Sequence, residues 1–360
     1  MLLEPVKQLA LDSNWHGFEP APDGRHFVMG LRPDRFRVLN PDFTTRNEFK
    51  APATGSWQIS PDGRLLAIVN GPNLSVVSLD GQLLYHEQSA PSRASPLDDL
   101  KFTADQRFLW TVRHYPDYQI EVQVRETATW QVLRSALFPE PAPPASVSLH
   151  PHPEGKVMAI WAASGQDGQW VYWAYDDGRT IQIYEVPGLE FTTPPEFHPS
   201  GGEFILTHHY DYLERYRFPE CELLGSFEWD DEDDDCQMGC NPSYLSDRRA
   251  LINTNEDRLF LVDLESMCLL DELIFKGHEP RPCGEVYPIS TNSRPQTLLT
   301  DLVGFRIVGR NRLLTEHRKL PDENDYSAIL WDTSTLFGRF SPLRDDASFT
   351  TRLLQMRGWQ

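Results

Sequence analysis

The chain is short of cysteine, of positive charge and of long apolar runs, and each shortage removes a class of protein. Five cysteines scattered through 360 residues do not form the paired framework of a small disulfide-stapled domain. They read as free thiols in a reducing compartment, so the chain is expected to be cytoplasmic. Lysine and arginine total 33 against 53 aspartates and glutamates, a formal charge of −20. A surface of that sign repels phosphate backbones, so neither nucleic acid nor an anionic membrane is expected as a direct ligand; a basic protein patch or a cation fits better, or the charge only keeps a large β protein in solution. No run approaches the roughly 18 apolar residues of a membrane span. The opening MLLEPVKQLALDSNWHGF breaks its apolar stretch with Glu4 and Lys7 and lacks a small-residue cleavage pattern, so it does not read as a signal peptide. Catalytic motifs are missing too. There is no Gly-x-Ser-x-Gly elbow, no phosphate-cradling glycine loop and no His-Glu-x-x-His helix, since His86-Glu87 and His278-Glu279 lack the second histidine.

What the chain has is a repeat. Ser56 to Glu87 reads as one antiparallel module: a short strand Trp57 to Ser60, a Pro61-Asp62-Gly63 turn, and a near-continuous apolar run Arg64 to Val69. Such a run suits a strand packed on both faces. Asn70 to Asn73 turns the chain, Leu74 to Leu79 is a third strand, Asp80-Gly81 a hairpin signal, and the more polar Gln82 to Glu87 an outer, wet strand. Weaker copies recur along the chain. Taking Asp23, Asp62, Asp105, Glu154, Ser200, Asp247 and Arg310 as turn markers, the intervals are 39, 43, 49, 46, 47 and 63 residues. Most sit near the roughly 40 to 45 residues of a four-stranded propeller blade.

The expected fold is therefore all-β, a seven-bladed β-propeller of four-stranded antiparallel blades forming one domain over 1–360. The blades fall near 13–52, 53–92, 96–140, 144–190, 192–230, 240–276 and 297–342, with 1–12 and 343–360 closing the ring or packing on its rim. Pro5 to Leu11 or Leu336 to Phe340 supplies the last outer strand. The pattern resembles the WD-repeat β-propeller family, with Gly277-His278 and Trp331-Asp332 matching the family's two dipeptides and Val262-Asp263 and Leu79-Asp80 as degenerate versions. The resemblance implies a buried His–Asp network in typical blades. Most blades here carry neither dipeptide, so most are expected to lack it.

In such blades the second-to-third strand loops and the blade-to-blade connections share one face, and here the irregular segments are nearly all of that kind. Binding residues concentrate on loops held by a rigid scaffold. The candidate partner-binding residues are the acidic run Asp230, Asp231, Glu232, Asp233, Asp234 and Asp235, together with His114, Tyr115, Trp170, His208, His209 and Tyr210. Adjacent carboxylates would meet lysine or arginine on a partner and speed encounter, or merely form a solvated loop. The tyrosines and Trp170 are contact anchors, or the wall of an aromatic cage, or simply loop packing. Cys236, Cys240, His278 and Cys283 are weak zinc candidates because their spacing is not a standard finger pair. His150 and His152 read as turn residues. No cofactor is expected. The functional expectation is a non-catalytic protein-interaction module or scaffold subunit with a basic partner; the alternative is a metal-dependent hydrolase or lactonase with its site in the central channel.

Overall fold

The computed structural model describes residues 2–11, 14–22, 24–51, 55–88, 96–139, 146–165, 168–209, 211–229, 238–239, 242–254, 258–276, 300–308, 312–319, 326–334 and 336. Their strands form seven four-stranded antiparallel sheets, each folded from consecutive strands except the last. Blade 2 is Trp57–Ile59, Leu65–Asn70, Asn73–Ser78 and Leu83–Glu87, the module read from the sequence to within a residue or two. The Asp62-Gly63 turn forms because Gly63 sits at φ 67°, where a Cβ would be strained. Asp62 Oδ1 accepts from Ser60 Oγ at 2.7 Å and from the Arg64 amide at 3.1 Å. Leu66 to Val69 are at most 1% exposed, as a strand covered on both faces requires.

Among the described residues, seven apolar clusters make up the core, and each is shared by two neighbouring blades. Val28 and Phe36 of blade 1 meet Trp57 and Ile68 of blade 2. Ala67 and Val76 of blade 2 meet Leu100 and Leu109 of blade 3. The succession runs through blades 4, 5 and 6, then Leu251 with Leu313 between blades 6 and 7. Leu314 and Leu330 of blade 7 pack on Phe18 and Met29 of blade 1, completing the ring. The protein is a seven-bladed β-propeller.

Pro5–Leu11 pairs antiparallel with Tyr326–Asp332 and is the outer strand of blade 7. Leu2–Leu3 also pairs in parallel with Ile274–Phe275, beyond the last strand of blade 6. Lys276 Nζ lies 2.8 Å from Glu4 Oε1 beside it. Blade 7 carries the Trp-Asp dipeptide. There Trp331 is fully buried, its Nε1 donates to Thr315 Oγ1 at 2.7 Å, and that hydroxyl lies 2.7 Å from His317 Nε2.

Histidines join several blades on the opposite, turn-bearing face. His26 Nε2 bonds the Gly63 carbonyl at 2.8 Å and His152 Nε2 the Gly201 carbonyl at 2.8 Å, each reaching the next blade. His198 Nε2 lies 3.3 Å from Asp247 in the same manner. The turn reading of His152 thus gains a structural role. His150 departs from it: the residue lies in the innermost strand Ser146–Pro151, because the turn begins two residues later than the sequence suggests. The described residues contain no helix long and apolar enough to cross a membrane.

Candidate functional site: the loop face and the channel wall

In every blade the first strand runs from the loop-rich face to the turn-bearing face and the second returns, so strand order alone places the second-to-third loops with the blade-to-blade connections. His114 and Tyr115 end the second strand of blade 3, Phe108–Tyr115. His208 ends the second strand of blade 5, Glu203–His208. Trp170 lies at the start of the third strand of blade 4, Gln169–Asp176. The structure therefore puts these residues at the same face of three successive blades, each engaged within its own surroundings.

His114 Nδ1 lies 2.9 Å from Asp98 Oδ1, and Asp98 Oδ2 accepts the His114 amide at 2.8 Å. Burial raises the Asp98 carboxyl above its usual range, with the His114 contacts pulling the other way. Tyr115 donates its hydroxyl to Glu121 at 2.7 Å. Trp170 packs on the blade 3 and blade 4 core. His208 Nδ1 lies 3.2 Å from Glu214 Oε2, and its ring stacks on His209 at 4.4 Å. His209 in turn stacks on Phe191 at 5.5 Å, and Phe191 is 45% exposed. Exposed aromatic surface at this face comes from Phe191 with His209 and from Tyr118, 48% exposed in the second-to-third loop of blade 3; the sequence reading missed Phe191 because it lies in a connection without a local motif. Tyr210, the run Asp230 to Asp235, and Cys236, Cys240, His278 and Cys283 lie outside the described residues. The acidic run belongs to the connection between Glu228 and Ser243, the ends of consecutive strands.

The sequence reading also passed over the channel wall. Glu19, Asp99, Lys101, His150, Glu196 and Arg306 are polar residues on innermost strands. Glu316 comes from a second strand opposite Gly304, which contributes no side chain. Burial raises Glu19, with Lys101 and Arg306 opposing. Burial pushes Glu316 up to about 7, with Arg306 opposing and Glu19 adding. Glu196 is likewise pushed up to about 7 by burial, with Arg306 opposing. It is surface-accessible yet densely surrounded, the combination expected of a side chain facing a narrow lumen. That Arg306 of blade 7 acts on Glu196 of blade 5 means both project inward. Burial drives His150 down to about 3, helped by Lys101. The signal available in the sequence was a charged residue inside each of several otherwise apolar first strands. Among the described residues, no group of three or more His, Cys, Asp or Glu side chains is arranged to hold a metal ion.

The fold and site thus define a propeller with an elaborated loop face and a charged lumen. Among solved structures, the β-propeller domain of Cps50 (Swd1) from Myceliophteria thermophila superposes with a TM-score of 0.59 over 89% of this chain and 98% of that one, at 10% sequence identity. At that identity the likeness is one of fold. Neither protein-family models nor curated proteins give a match to the sequence.

Proposed function

We propose that the protein is a non-catalytic interaction module that presents its loop-rich face to a basic protein partner in the cytoplasm. The carrying observation is the placement of the connections. Glu228 and Ser243, the strand ends that flank the six adjacent carboxylates in the sequence, lie at the same face as the exposed Phe191–His209 pair, which supports a shared binding surface. An aromatic anchor on a rigid scaffold, combined with a run of carboxylates in the sequence, suits fast, salt-sensitive capture of lysine- or arginine-rich segments. The formal charge of −20 supports the same sign of partner and disfavours nucleic acid and anionic membrane.

The test uses a lysine- and arginine-rich synthetic peptide as probe, with binding followed by fluorescence anisotropy across a salt series. Replacing Asp230 to Asp235 with lysine is expected to abolish binding and its salt dependence while leaving the melting transition nearly unchanged. An unaltered affinity removes the acidic segment from the account. Phe191→Ala, on an exposed ring, is expected to weaken the complex by about fivefold or more without loss of stability.

A further inference from the structure

A cavity of about 470 Å³ opens off the channel along the inner edges of blades 7, 1, 2 and 3. Its size falls within the range of small-molecule sites. Glu19, Glu316, Lys101 and Arg306 line it together with Trp15 and Trp57. Opposite charges face one another there without closing on each other. Lys101 lies 3.5 Å from Asp99 on its own strand. Arg306 donates Nη1 to the adjacent Phe305 carbonyl at 2.7 Å and makes no ion pair with a described residue. Glu19 and Glu316 likewise make none among the described residues, although each is within electrostatic reach of Arg306.

That arrangement discriminates between ligand classes. A simple anion on Arg306 would be repelled by the two glutamates, and a simple cation on the glutamates would face the guanidinium. A molecule carrying both charges a few bonds apart satisfies both, and a carboxylate on Arg306 gains charge-assisted, two-pronged hydrogen bonds. The rest of the accessible lining is chiefly polar, so the remainder of such a molecule must be small. We propose that the channel cavity binds a free α-amino acid with a small side chain, its carboxylate on Arg306 and its ammonium between Glu19 and Glu316. None of its residues belongs to the acidic run or to the Phe191–His209 pair, although Gly55 and Ser56 come from the connection between blades 1 and 2 on that same face.

Calorimetric titration of the full chain with L-alanine, propionate and ethylamine tests this, because the last two each keep a small skeleton and one charge. L-Alanine is expected to bind at least about tenfold more tightly than either analogue. Arg306→Met and, separately, Glu316→Gln are each expected to weaken it by about tenfold or more while the far-ultraviolet dichroism of the ring is retained. Should Arg306→Met fail to fold, Arg306→Lys with Glu316→Gln carries the same comparison, lysine lacking the two-pronged geometry. Absence of binding by L-alanine, equal binding by either analogue, or binding indifferent to these substitutions would overturn the proposal.

Discussion

A single buried imidazole shows how one residue couples two modules. His152 is fully buried, its Nε2 holds the Gly201 carbonyl of the next blade, and its ring packs on Phe197 and Phe218 at 5.0 and 4.7 Å. Burial depresses its pKa, with the Gly201 bond and Glu154 acting in the opposite direction. His152→Ala should cost about 2–4 kcal/mol in urea unfolding, from a cavity plus an unpaired carbonyl. His152→Phe should recover the packing part of that loss and leave the hydrogen-bond part. Equal losses in both variants would mean that the ring's volume contributes nothing. The histidine was visible in the sequence beside a turn, but its partner was not, since Gly201 is 49 residues away.

At the scale of elements, local strands were legible and long-range pairings were not. The Pro-Asp-Gly turn and the apolar run after it are local chemistry, and blade 2 formed as its residues dictate. Ring closure joins opposite ends of the chain, so no window of sequence contains it; Pro5–Leu11 and Leu336–Phe340 were equally suitable by pattern. Leu3 measures the consequence. It is 3% exposed, belongs to the cluster between blades 6 and 7, and sits on the two-residue parallel pairing with Ile274–Phe275. Leu3→Ala should lower stability by about 2–4 kcal/mol, seen as a reduced urea midpoint with an unchanged slope. A midpoint equal to the parent's would show that the N-terminal segment adds nothing to the closed ring.

For the whole molecule, the channel sets a pH dependence whose sign is fixed by which groups are forced neutral. Glu196 and Glu316, at about 7 against an ordinary 4.5, contribute stability that is present below pH 4.5 and lost as pH rises through 7. His150, at about 3 against 6.5, contributes stability that is present above pH 6.5 and lost as pH falls toward 3. The two effects oppose each other between pH 4.5 and 6.5, and above pH 6.5 the glutamates act alone. The Glu196→Gln, Glu316→Gln double variant should therefore melt above the parent at pH 8 and match it at pH 4. Discounted for water in the lumen, Glu316 accounts for about 1–2 kcal/mol of that gap. Parallel melting curves across the range would show that these carboxylates ionise freely in the folded ring.

The amino-acid order alone determined the strand-turn-strand rhythm, its sevenfold recurrence and the side of the ring from which irregular connections leave, because turn chemistry and burial period act over a few residues. Tertiary structure alone decided which end of the chain seals the ring, which carbonyl each bridging histidine grips, and that isolated charges on separate inner strands share one lumen. Those outcomes depend on distances between residues far apart in the chain, and such distances exist only once the last blade has packed against the first.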